Sequence, residues 1–172
     1  MTKNIVLLGF MGTGKSSVGK ILGKKLGRPV ADVDEAIEAG EKRKIHEIFE
    51  KNGEARFRAL EKEAIRELSG RNGAVITTGG GAVLDLENIE ALRRNGILIT
   101  LLASPETIHH RVKDSRRRPL LSGTDLKTKI RELWVAREPL YRQADHFFET
   151  DGKRPAEVAD EIVAALRLAG EI

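Results

Sequence analysis

Residues Gly9 to Ser16 read Gly-Phe-Met-Gly-Thr-Gly-Lys-Ser. A glycine, four residues, then Gly-Lys-Ser is the pattern of a phosphate-binding loop, and no other stretch limits the fold of the chain so tightly. Ile5, Val6, Leu7 and Leu8 precede it, a run suited to a parallel strand buried on both faces. Val18, Ile21, Leu22 and Leu26 follow at helical spacing. Strand, glycine loop and helix together are the context the motif requires; a bare glycine turn would not need both flanks. Gly9, Gly12 and Gly14 let the backbone turn with no side chain in the way of a ligand. Successive N–H groups can then hold phosphate oxygens at the positive end of the helix dipole. Gly12, Thr13, Gly14, Lys15, Ser16 and Ser17 are therefore the nucleotide-binding candidates. Lys15 brings a mobile charge to the β- and γ-phosphates, and Ser16 brings a hydroxyl to Mg²⁺.

The rest of the chain extends this unit. Val30 to Asp34, Ala74 to Thr78, Ile97 to Leu102 and, more weakly, His146 to Glu149 read as further strands. Helical patterns lie between them. One, with Ile45, Ile48 and Phe49, is interrupted at Gly53 and resumes through Phe57, Leu60, Ala64 and Leu68 to Gly70. Ile89 and Leu92 mark another helix, and Val158, Ile162, Val163 and Leu166 stripe the last. Alternation of this kind predicts an α/β domain, a three-layer α/β/α sandwich around a five-stranded parallel sheet of the phosphate-loop NTPase type. All 172 residues are expected to form one domain. Ligands of such sheets bind beyond the carboxyl ends of the strands, which directs attention to the residues there.

Four groups stand at those ends. Asp32-Val33-Asp34 closes the second strand; strand alternation would point both acids one way, to organise Mg²⁺ and take a hydrogen bond from a substrate hydroxyl. A strand end with a helix N-cap is the plain alternative. Arg58 and Glu61 share a helix face. The pair reads either as an exposed contact of little consequence or as a clamp in which Glu61 orients the Arg58 fork toward a carboxylate. Gly79-Gly80-Gly81, after Thr77-Thr78, reads as a flexible turn or as backbone laid bare for close approach of a ligand; the entropic cost of three glycines favours the second. Arg111 to Leu121 contains Arg116-Arg117-Arg118-Pro119-Leu120-Leu121, a solvated basic run, a nucleic-acid patch or a lid that closes over a triphosphate. Arg137-Glu138-Pro139-Leu140-Tyr141 follows a helical stretch that Pro139 is expected to stop, and Arg137 alone reads as solvated.

Gly-x-x-Gly-x-Gly-Lys-Ser, Asp-x-Asp, Phe-Arg-x-x-Glu, Gly-Gly-Gly, Arg-Pro-Leu-Leu and Arg-x-Pro-Leu-Tyr, in this order from Gly9 to Tyr141, resemble the shikimate kinase family. The resemblance implies a nucleoside monophosphate kinase-like fold with a substrate-binding helical region at about 33–61 and a lid at about 112–124. It implies transfer of the γ-phosphate of ATP to the 3-hydroxyl of shikimate, a step toward chorismate and the aromatic amino acids, with Mg²⁺ as cofactor. By position, Lys15, Asp34 and Arg118 would be catalytic. Asp34, Arg58, Glu61, Gly79, Gly80, Gly81 and Arg137 would bind shikimate. Arg111, Arg118 and Pro155 would join the loop in binding ATP, Arg111 and Pro155 beside the adenine. Ser16 and Asp32 would hold the metal, with Thr77 as a further candidate. The family often has Thr where this chain has Val33, and the run of arginines would let Arg116 or Arg117 share the role of Arg118.

Composition narrows the alternatives. The formal charge is +4 and cysteine is absent, so thiol chemistry is excluded. ATP and an anionic acceptor suffice to explain the positive balance. With aromatics at 4%, few stacking platforms exist for single strands. No apolar run reaches the length of a membrane span, and no signal peptide is expected. The expectation is a cytoplasmic monomer acting on small molecules, with neither nucleic acid nor membrane as partner. Another small-molecule kinase of this fold, such as a gluconate kinase, is the alternative, since a sugar acid is also an anionic polyol. A nucleotide-binding regulatory module is argued against by the intact Lys15, Asp32, Asp34 and Arg118.

Overall fold

The computed structural model describes residues 2–113 and 125–172. Strand β1 (Asn4–Leu8) leads through the glycine loop into helix α1 (Lys15–Leu26). Then come β2 (Val30–Asp32), α2 (Val33–Glu41), α3 (Ile45–Ser69) and β3 (Val75–Thr77). A 3₁₀ turn (Ala82–Leu84), α4 (Leu86–Arg94), β4 (Gly96–Leu102), α5 (Pro105–Val112), α6 (Leu126–Tyr141), β5 (His146–Glu149) and α7 (Pro155–Leu168) complete the order. The five strands form one sheet in the order β2-β3-β1-β4-β5, and every pairing is parallel. The expected five-stranded α/β/α architecture is the one observed.

Alternation along the central strands builds both faces. Ile5 and Leu7 of β1, with Ile97, Ile99 and Leu101 of β4, pack against Val18 and Leu22 of α1 and Val158, Ile162 and Leu166 of α7. Val6, Leu8, Ile76 and Leu98 face the other way, toward Ile65 and Leu68 of α3 and Ile89 and Leu92 of α4. A strand buried on both sides favours apolar residues on both faces, which is why Ile5 to Leu8 read as an unbroken hydrophobic run, while the buried Asn4 that opens β1 is bonded to the backbone of Arg71 and Ala74.

Several boundaries differ from the sequence reading. β2 ends at Asp32, and Asp34 lies in the first turn of α2 rather than in a strand. The cause is local: Asp32 Oδ1 accepts from the N–H of Asp34 at 2.9 Å and of Glu35 at 3.1 Å, an N-cap that starts the helix at once. The N-cap is thus Asp32, not Asp34, and Val33 is wholly buried in the core. Gly53 kinks α3 as expected, with φ 78° and ψ 172° inside a helix that otherwise continues. Gly70 does cap α3, but in right-handed geometry. Pro139 does not stop α6, which runs two residues further to Tyr141. One lost backbone bond in a last turn is tolerable when Tyr141 is buried in the core. The expected lid falls mostly on residues 114–124, so Arg116, Arg117, Arg118, Pro119, Leu120 and Leu121 lie outside the described residues.

Candidate active site

The glycine loop leaves β1 with Gly9 at φ 141°, Gly12 at φ 79° and Gly14 at φ 94°, values that a side chain would strain. Thr13 Oγ1 donates to the Phe10 carbonyl at 2.8 Å and so tightens the turn. Lys15 is 8% exposed, and its Nζ donates to the carbonyls of Gly9 and Phe10 at 2.7 and 2.8 Å. The ammonium therefore sits folded over the loop. Gly14, the N-cap of α1, offers no side-chain cap, so the first N–H groups of the helix face the loop without a capping acceptor. Ser16 and Ser17 stand exposed on that first turn.

Asp32 ties three elements together. Beyond capping α2 through Oδ1, it accepts through Oδ2 from Ser16 Oγ of α1 at 3.1 Å and from Thr77 Oγ1 of β3 at 2.6 Å. Two hydroxyls and a carboxylate converge where the ends of β2 and β3 meet the loop. This is a set of hard oxygen donors suited to Mg²⁺, which keeps most of its ligands as water and phosphate. Among the described residues no cluster of three or more His, Cys, Asp or Glu could form a protein cage for a metal.

Beside the loop opens a cleft of about 760 Å³. Ser16, Asp32, Asp34, Arg58, Glu61, Gly79, Gly80, Gly81 and Arg137 all line it, so residues from five separate segments of the chain meet there. Arg58 and Glu61 are not the exposed pair that spacing alone suggests. Glu61 is 1% exposed and takes Arg58 Nη1 at 2.8 Å, and Glu54 holds the other end of the guanidinium at 3.2 Å. Arg58 also lies over the Phe57 ring, 5.2 Å from its centroid. Burial pushes the Glu61 carboxyl up against the pull of Arg58 and Arg137. The same burial disfavours the charge on Arg58, yet its carboxylate partners leave the guanidinium above its ordinary value. Arg137, read alone as solvated, is 5% exposed and stacks above Phe10, 6.0 Å from the ring centroid.

The three glycines are explained by protein atoms. A Cβ on Gly81 would come within 2.6 Å of Arg58 Cζ. One on Gly80 would meet Met11 N of the phosphate loop at 3.0 Å, and one on Gly79 would meet Glu61 Oε2 at 3.1 Å and Asp34 Oδ1 at 3.2 Å. The bare backbone lets Arg58, Glu61 and Asp34 approach Gly81 and Gly79, and the phosphate-loop backbone approach Gly80, a reason beside the close approach of a ligand that the sequence suggests.

Arg111 does not line the cleft. Its guanidinium spans from Gly12 O, at 3.1 Å, to Thr150, whose Oγ1 and carbonyl it reaches at 3.0 and 2.9 Å. It thereby joins the phosphate loop to the segment leading to Pro155, the first residue of α7. The sequence reading missed the apolar wall of Met11, Ile45 and Phe49, and the Glu38–Lys44 ion pair, 2.7 Å, beside them. No spacing rule marks such residues. Only the phenylalanine pair flanking Gly53 hinted at them, and Phe49 and Phe57 do stack, with centroids 4.7 Å apart.

A parallel sheet in this order, with its glycine loop after the central strand, is the phosphate-loop NTPase fold. The shikimate kinase family profile matches residues 11–167. A shikimate kinase from Thermodesulfovibrio yellowstonii is 48% identical over 161 residues, covering 94% of this chain and 93% of that protein. A solved shikimate kinase from Acinetobacter baumannii, in complex with shikimate, superposes with a TM-score of 0.95 at 36% identity, covering 98% of this chain and 95% of the other. The chain belongs to the shikimate kinase family. A gluconokinase from Sinorhizobium meliloti, 21% identical with a TM-score of 0.62 over 98% of this chain and 94% of its own, shares the fold alone.

Proposed function

We propose a division of labour among the residues of this cleft for the reaction of the family. The reaction is transfer of the γ-phosphate of ATP to the 3-hydroxyl of shikimate, giving shikimate 3-phosphate, on the route to the aromatic amino acids. Gly12 to Ser17 bind the triphosphate through backbone N–H groups, and Lys15 exchanges the carbonyls of Gly9 and Phe10 for phosphate oxygens. Ser16 and Asp32, with Thr77, hold Mg²⁺, which supplies positive charge to the phosphates when bound. Arg58 and Arg137 clamp the shikimate carboxylate, Glu61 orients Arg58, and the backbone of Gly79, Gly80 and Gly81 borders the ring. Asp34 takes the proton of the attacking hydroxyl as its oxygen bonds to phosphorus and the bond to ADP breaks. Arg118, which lies outside the described residues, is assigned the neutralisation of charge during transfer, and Arg111 and Pro155 lie beside the adenine.

The observation that carries the acceptor assignment is the buried Glu61 holding Arg58 at 2.8 Å against Gly81, with Arg137 in the same cleft. A planar cation fixed in this way is suited to a carboxylate. The chain is further read as one domain and a cytoplasmic monomer with no nucleic-acid or membrane partner. Among the described residues no helix is long and apolar enough to cross a membrane. ADP release measured with shikimate, gluconate and nucleoside monophosphates as acceptors tests the function. Turnover with shikimate alone is expected, and turnover with gluconate in its place would overturn the assignment.

A further inference from the structure

Tyr141 ends α6 one helical turn after Arg137. Its ring belongs to the core and is 1% exposed, a burial that phenylalanine would satisfy equally. The hydroxyl is what needs a reason. It donates to the Gly80 carbonyl at 2.5 Å, a bond between a helix and a loop 61 residues earlier in the chain. The backbone of Tyr141 is anchored in turn, since its own carbonyl accepts from Thr100 Oγ1 of β4 at 2.7 Å. Burial pushes the phenol well above its ordinary value, opposed by the charge of Arg137, so the group stays a neutral donor.

The Gly80 carbonyl is half of a peptide unit whose other half is the Gly81 N–H. The unit is planar and trans, so C=O and N–H point in opposite directions. Holding the carbonyl against Tyr141 turns the Gly81 N–H away from α6. Gly81 lines the cleft and lies against the Arg58 guanidinium. Ala82 N–H to the Gly79 carbonyl at 3.2 Å and Leu84 N–H to the Gly81 carbonyl at 3.1 Å close the turn on either side, but neither bond takes the Gly80 carbonyl, whose glycine neighbours leave its peptide plane free to turn. We infer that Tyr141 is a positioning residue for the acceptor: through the Gly80 carbonyl it locks the Gly80–Gly81 peptide, and through its place on α6 it keeps that peptide in register with Arg137.

The inference rests on reading the cleft as the shikimate site. Tyr141→Phe keeps the ring and removes only the hydroxyl. The expected result is a shikimate KM raised about tenfold, the scale of one buried hydrogen bond, with the ATP KM unchanged. An unchanged shikimate KM, or an equal rise in both, would overturn the proposal. Tyr141 is the sole tyrosine of the chain, so protein grown on 3-fluorotyrosine carries one buried ¹⁹F reporter without any mutation, which keeps the test intact should the variant fold poorly. Its resonance should shift on saturation with shikimate and hold still with ADP alone; no shift with shikimate, or the same shift with both, would count against the role. Wild-type turnover on shikimate, run alongside, separates the two ideas: its absence removes the cleft assignment, whereas its presence with an indifferent Tyr141→Phe removes only the positioning role.

Discussion

The two halves of the cleft are built by opposite means. The phosphate loop is one contiguous stretch, shaped by left-handed and extended glycines and by its own short-range bonds, such as Lys15 Nζ to the Gly9 carbonyl, with Arg111 bracing the Gly12 carbonyl from outside. The acceptor half is gathered from α2, α3, the loop after β3 and α6, and its bonds cross as many as 61 residues. The first half carries its geometry in local backbone chemistry. The second exists only while four elements pack correctly, so substitutions there should act on one substrate and on stability together, whereas substitutions in the loop should act on the chemistry.

Lys15→Ala gives the largest contrast. Turnover should fall on the order of 10³-fold or more with the melting temperature little changed, because the lost group neutralises transferring phosphate rather than supporting the core. Near-normal rates in a steady-state assay would break the comparison at its strong end. Asp34→Asn stands on the boundary between the halves. Its kcat should fall by roughly 10²- to 10⁴-fold, the range of general acid–base help, with a smaller change in shikimate KM; an unchanged kcat would leave Asp34 as an orienting group only.

Gly81→Ala probes the acceptor half by packing alone. Its Cβ would press into the Arg58 guanidinium, so the shikimate KM should rise about tenfold, the loss of roughly 1.4 kcal/mol, while the ATP KM holds. An equal rise in both would mean that the glycine loop serves the two substrates alike.

Glu61→Gln should be the smallest effect and the most diagnostic of tertiary burial. Desolvation lifts the folded-state carboxyl above its unfolded value, so the folded chain holds the proton more tightly. The stability this contributes is fully present below the ordinary glutamate value and is lost as pH rises through the folded one. Thermal melts across that window should fall more steeply for the wild type than for Glu61→Gln. Parallel curves would show that burial does not govern this carboxyl.

The different construction of the halves also explains what could be read in advance. The phosphate loop, β1, α1 and the parallel sheet were legible because each depends on neighbours in sequence: glycine spacing, an unbroken apolar run, a helical stripe. Arg58 with Glu61, and Arg137, looked like ordinary surface charges on the same local criteria, and only the resemblance to a family promoted them. Strand alternation carried past Asp32 places Asp34 in a strand, whereas the Asp32 side-chain cap begins a helix there. Pro139 reads as a stop because its missing N–H is visible in the sequence, while the burial of Tyr141 that carries the helix past it is not.

By itself the sequence determined a nucleotide loop between a buried strand and a helix, within a parallel α/β domain, because those features are set by backbone sterics and by periods of two and 3.6 residues. The tertiary structure decided that Glu61 is buried, that Gly81 lies against the Arg58 guanidinium, that Arg137 faces Phe10 and that Tyr141 reaches Gly80. Each of these depends on the distance between elements far apart in the chain, and desolvation and close contact are properties of that packing alone.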